Sequence, residues 1–313
     1  MRSHDYTIHI KLVGMAALWG ASWPWGRIAA QAMPPLSAAA VRFVLASVVL
    51  LLFLHGSGRL EEVRRITLQQ WRALCCASAV GILGYSMFFF AALKSVPAGR
   101  AAVVVALNPV LTLLFATLMF REAVNRAMCL GVVLAVIGAL YALSEGSVNA
   151  MPRGPAEAGE LLLLGCAACW VGYALIGKLI LSSVDSFTTT TLTAVIGAVF
   201  LSSASLAIEG PSGWRHMLEA PAEAWWSILA LAVGATALAY AWYLNGVQRL
   251  GATTATAYMS LVPVFGMVLS SLWLGEPLTD SLLIGGALAI LGMVLMNRGR
   301  GRLLTAAQRT SSE

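Results

Sequence analysis

Charge is what this sequence has least of. Only 11% of its 313 residues are Asp, Glu, Lys or Arg, against 59% hydrophobic, and its mean hydropathy is +0.81. A chain this apolar cannot give a folded domain an ordinary polar surface, so its outside must face lipid. Seven segments, 73–93, 101–120, 127–144, 186–208, 224–248, 250–275 and 281–297, hold no charged residue at all. The spans are equally poor in groups that do chemistry. His4, His9, His55 and His216 fall at ends or in loops, and no carboxylate lies well inside an apolar run. An intramembrane hydrolase needs acid–base groups within the apolar region or at its rim, and a metal site needs converging ligands. Neither pattern is present, so no metal or other cofactor is expected and the chain is read as non-enzymatic. The five cysteines all sit in apolar helices, where a small polarizable side chain packs well. Cys166-x-x-Cys169 has a redox or zinc spacing but lacks a second ligand pair, and is read as packing.

Each of the seven segments spans about 30 Å of hydrocarbon, allowing for tilt. Three further spans carry one basic residue each: 12–33 (Arg27), 36–56 (Arg42) and 160–181 (Lys178). That makes ten helices and leaves no room for a soluble domain. The first resembles a cleavable secretion signal, but its run is long and contains Trp19, Trp23, Pro24 and Trp25, so it is expected to stay. With both termini in the cytoplasm, cytoplasmic segments hold fourteen basic residues and the opposite side four, as the positive-inside rule requires. The net charge of +6 is therefore an orientation signal, and nucleic acid is not an expected partner. A multi-pass protein of the cell inner membrane, in contact with the lipid bilayer, is the predicted setting.

Two stretches repeat. Ala98–Glu122 and Ala252–Glu276 match at Ala98/Ala252, Ala101/Ala255, Leu107/Leu261, Pro109/Pro263, Val110/Val264, Leu118/Leu272 and Glu122/Glu276, always 154 positions apart. The same offset relates Gly131 and Gly138 to Gly285 and Gly292, and Leu18-Trp19 recurs as Cys169-Trp170. Five helices per half is an odd number, so the second half enters the membrane from the opposite side. The predicted fold is an all-α integral membrane protein of ten transmembrane helices, arranged as two inverted five-helix repeats around a central cavity. Its divisions are 1–148, a linker at 149–159, 160–298 and a cytoplasmic tail at 299–313.

Each repeat carries a proline in the middle of an apolar helix, which removes a backbone donor and disturbs the preceding turn. Pro109 and Pro263 are read as hinges. Asn108 either faces substrate or bonds a neighbouring helix. Aromatic residues gather on particular helices, and mid-membrane hydroxyls need partners. Tyr85, Tyr240 and Tyr258 lead the cavity candidates, joined by Trp23, Phe88, Trp170 and Tyr173, with ordinary packing as the alternative for each. Gly81, Gly84, Tyr85 and Phe88 share one helical face. Arg42 lies about two turns into its helix, where it either snorkels or forms an outer ion pair or gate with Glu276. Its repeat counterpart is Thr193. Gly131, Gly138, Gly285, Gly286 and Gly292 make small-residue faces suited to close helix contact, within one chain or between two, so monomer and homodimer both stay open.

The helix count, Trp19-Gly20, Arg42 and the doubled Pro109…Glu122 and Pro263…Glu276 segments resemble the EamA family of the drug/metabolite transporter superfamily, over about residues 10 to 298. Within it the aromatic inventory is most similar to bacterial YddG-type exporters of aromatic amino acids. The resemblance implies a secondary transporter that exports a small-molecule substrate, an aromatic or other neutral amino acid, through a cavity between the halves by alternating access. Threonine, homoserine, cysteine derivatives or another metabolite are alternative cargoes. A polytopic membrane enzyme or scaffold is the alternative of another class.

Overall fold

The computed structural model describes residues 2–105, 107–120, 124–144, 155–180 and 184–310. Apolar runs too poor in polar side chains to satisfy their own backbone fold as helices, the one local structure that pairs every N–H within the segment. The helices are α1 (Arg2–Ala32), α2 (Pro35–Gly56), α3 (Leu60–Arg64), α4 (Leu68–Leu93), α5 (Ala98–Val105), α6 (Asn108–Phe120), α7 (Arg126–Leu143), α8 (Pro155–Ile180), α9 (Ser186–Ile208), α10 (Gly210–Leu218), α11 (Ala222–Leu250), α12 (Ala252–Ala257), α13 (Val262–Leu274) and α14 (Asp280–Thr310). A 3₁₀ turn at Tyr258–Leu261 joins α12 to α13. Among the described residues there is no strand, and eight helical stretches are long and apolar enough to cross a membrane. Helix α8 starts at Pro155, inside the stretch read from sequence as a linker, and α14 runs through the expected tail to Thr310.

Helix starts are signalled locally and from afar. Thr67 and Gln70 form a capping box on α4, Asn125 caps α7, and Asp185 accepts from the backbone N–H groups of Phe187 and Thr188. Two starts are capped by carboxylates distant in sequence. Glu209 accepts from the backbone of Leu36 and Ser37 at 2.8 Å each, and Glu276 from Ala98 and Gly99 at 2.8 and 2.9 Å. Free N–H groups and the helix dipole both favour an anion there.

Two helix pairs run antiparallel along their lengths. Helix α2 meets α9 through Ser37 with Ser205 at one end, while just beyond its other end Arg59 pairs with Asp185 at 2.9 Å. Helix α7 meets α14 through Gly131 with Gly292 and Gly138 with Gly285, where a Cβ on any of these glycines would fall 2.5 Å from the partner backbone. The opposite face of α7 presents Leu130, Val133, Ile137 and Leu140, each about half exposed. Small residues inside and large apolar ones outside suit a bundle whose solvent is lipid. The close contact left open by the sequence is thus made within the chain; Gly286 instead faces Met267. Helix α1 packs on α11 and α13, while α8 packs on α4, α5 and α6.

Both prolines mark breaks. A helix that ends at Val105 restarts at Asn108, and α13 restarts at Val262 after the 3₁₀ turn. Pro109 and Pro263 each fall in the first turn of the new segment, where a missing N–H costs nothing. The surroundings of the Pro109 side chain, like Glu122, lie outside the described residues. Two π-helical stretches, Ala79–Gly84 in α4 and Ala230–Leu238 in α11, were not foreseen.

Candidate functional site

The broken helices and the π-helical stretches converge on one cavity of about 160 Å³. Helix α1 contributes Trp19, Ser22 and Trp23; α2 contributes Arg42 and Phe43; α4 contributes Gly81, Ile82 and Tyr85. Asn108 comes from the start of α6, Trp170 and Tyr173 from α8, and Thr190, Thr193 and Ala194 from α9. Ala235, Thr236 and Tyr240 come from α11, with Met259, Val262 and Pro263 from the 3₁₀ turn and the start of α13. Ala102 and Met293 complete the lining. The π-helical stretches matter because each wide turn bends the regular backbone pairing beside the cavity, a geometry associated with functional sites. Gly81 and Ile82 lie in one, Ala235 and Thr236 in the other.

The walls are aromatic. One series of contacting rings runs Trp23, Phe89, Tyr85, Trp170, Tyr173, with centroids 5.3 to 6.5 Å apart. Across from it Trp19 packs edge-on to Tyr240 at 5.3 Å and donates its indole N–H to the carbonyl of Ala235 at 3.0 Å. Polar groups are set among the rings. Tyr173 shares a hydrogen bond with Thr193 at 3.3 Å. Asn108 is 7% exposed; its backbone carbonyl accepts from the Thr112 hydroxyl at 2.7 Å, and its side-chain Oδ1 has no donor among the described residues. Arg42 is the sole charged side chain among the described lining residues, and its Nε and Nη2 donate to the Thr236 hydroxyl at 3.4 and 3.3 Å. Its guanidinium carbon sits 5.2 Å from the Phe43 ring centre and 5.6 Å from that of Phe89.

Six of the eight residues expected to contact substrate therefore meet at the cavity: Trp23, Tyr85, Asn108, Trp170, Tyr173 and Tyr240. Two do not. Phe88 lies with Gly84 on the flank of the shared α4 face that turns toward α8, where a Cβ on Gly165 would come 3.0 Å from its ring. Tyr258 sits on the 3₁₀ turn, with its hydroxyl 2.6 Å from His9 Nδ1, away from the cavity. Of the expected gate residues, Pro263 and Arg42 reach the lining, but the Arg42–Glu276 pair does not form. Glu276 pairs with Arg27 at 3.3 Å, and Arg27 also donates to the carbonyls of Leu93 and Val96. The cap on α5 holds Glu276 beside the Arg27 turn of α1, while Arg42 turns inward to the rings. Sequence reasoning missed Ser22, Thr190 and Thr236 as lining residues; the available signal was a hydroxyl within an otherwise apolar span.

Cys166 is buried and donates to the carbonyl of Tyr85 at 3.6 Å, so it packs α8 on α4.

The sequence matches the EamA-like transporter family twice, over residues 7–144 and 157–298. It is similar to the uncharacterized transporter YyaM of Bacillus subtilis, with 29% identity over 288 residues that cover 92% of both chains. It is also similar to a probable terminal-alkyne amino-acid exporter of Streptantibioticus cattleyicolor, with 26% identity over 307 residues and 92% of both chains covered. A solved crystal structure matches with a TM-score of 0.68 at 21% identity, covering 94% of this chain and 98% of its own. That likeness concerns the fold.

Proposed function

The chain belongs to the EamA-like transporter family, and from that premise we propose that it is a secondary transporter exporting small amphipathic metabolites, amino acids foremost, by alternating access. The proposed architecture is ten spans in two inverted repeats: the eight long apolar helices, α1, and the α5–α6 pair acting as one broken span. The observation that carries this reading is the composition of the cavity lining. Seven pairs of lining residues stand at repeat-equivalent positions: Trp19/Trp170, Ser22/Tyr173, Arg42/Thr193 and Phe43/Ala194 at an offset of 151, and Gly81/Ala235, Ile82/Thr236 and Asn108/Val262 at 154. A cavity built from matched positions lies on the axis that relates the halves, where a substrate can be served in turn from either side. The helix pairs agree. Helices α2 and α9, and α7 and α14, stand at counterpart positions and run antiparallel, which supports an inverted arrangement.

The aromatic walls with hydroxyls, one amide and one guanidinium set among them suit a small amphipathic solute. The printed name of the Streptantibioticus relative favours the amino-acid class among the alternatives. The narrower likeness to aromatic-specific YddG-type exporters rests on an aromatic inventory of which Phe88 and Tyr258 lie off the cavity. The test is flux of labelled tryptophan, phenylalanine and threonine into liposomes containing the purified protein, with and without an imposed pH gradient. Aromatic-selective flux supports the narrower reading; flux of threonine alone keeps transport and discards aromatic selectivity. Flux of none argues for another metabolite or a non-transport role.

A further inference from the structure

Two groups in the cavity have polar capacity that the protein leaves unmet. The first is Arg42. A guanidinium taken out of bulk water loses solvation worth several kcal/mol, and such a cation is ordinarily paired. Arg42 is half-buried at the cavity, and its contacts there are one hydroxyl at 3.3 and 3.4 Å and two ring faces, none of them anionic. The Thr236 hydroxyl is committed as well, since it donates to the Leu231 carbonyl at 2.9 Å. The carboxylates that form ion pairs among the described residues, Glu276, Asp185 and Glu160, are engaged by Arg27, Arg59 and Arg100. The second group is Asn108, nine-tenths buried, whose side-chain Oδ1 meets no donor among the described residues. Each is a polar group that a ligand can satisfy.

We propose that Arg42 is the anchor for a carboxylate on the transported solute, and that Asn108 accepts an N–H from the same solute. The inference rests on the transport reading above and names its substrate class: monocarboxylates with an amino or amide donor. A planar guanidinium fork matches the carboxylate, and one cation with no second in the described lining suits a monoanion rather than a phosphate dianion. The apolar body of the solute lies between Trp23, Trp170 and Tyr240. The repeat counterpart of Arg42 is Thr193, so the anchor exists once, on one half of the protein. A solute held on Arg42 is attached to that half while the other moves past it.

The experiment uses phenylalanine, 3-phenylpropionate, phenethylamine and phenylalaninamide, and the corresponding series built on leucine. Flux into proteoliposomes and thermal stabilisation of the detergent-solubilised protein are measured for the wild type, Arg42→Gln, Arg42→Lys and Asn108→Leu. The wild type should be stabilised by both carboxylates at least about tenfold more tightly than by the amine or the amide. Arg42→Gln should lose that preference and melt no lower than the wild type without ligand, because it removes an uncompensated charge. Arg42→Lys should retain the preference at weaker affinity. Asn108→Leu should weaken phenylalanine but leave 3-phenylpropionate, which has no N–H, unchanged. Equal handling of acid, amine and amide by the wild type overturns the anchor while leaving transport intact. Carboxylate-dependent stabilisation without flux of any member upholds the anchor and overturns transport, and the absence of both overturns both. If Arg42→Gln fails to fold, an Arg42→Lys protein without carboxylate preference overturns the proposal.

Discussion

At the scale of single residues, the direction in which a side chain leaves its helix sets whether it reaches the cavity. Mid-membrane aromatics and one embedded asparagine stood out against an apolar background, and most of them meet at the cavity. Phe88 and Tyr258 were indistinguishable from the others by residue type, because a helical face is about 100° wide and the cavity uses only part of it. The structure separates them, and so should mutation. Tyr85→Ala and Asn108→Ala are expected to lower flux several-fold while the protein still elutes as a folded species. Phe88→Ala should lower the melting temperature and leave flux per folded molecule unchanged. A flux loss for Phe88→Ala equal to that of Tyr85→Ala would put the cavity wall in the wrong place.

At the scale of elements, the glycine faces and the distant caps hold the bundle. On α7 and α14 the glycine Cα atoms lie against opposing backbone, which cannot yield as a side chain can. Gly138→Ala or Gly285→Ala should therefore destabilise by about 1–3 kcal/mol, whereas Gly286→Ala meets the flexible end of Met267 and should cost less. Thermal unfolding of the three variants in one detergent checks the order. Glu276 joins three elements: it caps α5, pairs with Arg27 on α1 and directly follows Gly275, the left-handed cap of α13. Glu276→Gln removes the anion while keeping the shape, and a loss of about 2 kcal/mol is expected from weaker charge-assisted bonds. A disturbance at each proline was legible as a hinge within one apolar helix, since proline punctuates helices by itself; that a new helix starts there was not. The π-helical stretches were not, because they depend on how a neighbour crowds one turn.

At the scale of the whole molecule, the proposed ten spans place both ends of the chain on one side. Single cysteines introduced by Ser3→Cys and Ser312→Cys in a background lacking the five native cysteines should label from the cytoplasmic face together. Labelling from opposite faces would require an odd number of spans and would undo the inverted repeat.

What the sequence determined alone is the solvent and the periodicity: runs without charge demand lipid, and matches at offsets of 151 and 154 argue for a repeated unit, because both are read along the chain without knowing which residues touch. What tertiary structure decided is pairing. Glu276 had two arginines within plausible reach, and its cap on α5 holds it to Arg27; this leaves Arg42 to face Thr236 and the aromatic wall. Glycine faces that suited either one chain or two close within this one, because the geometry of packed helices exists only after the elements meet.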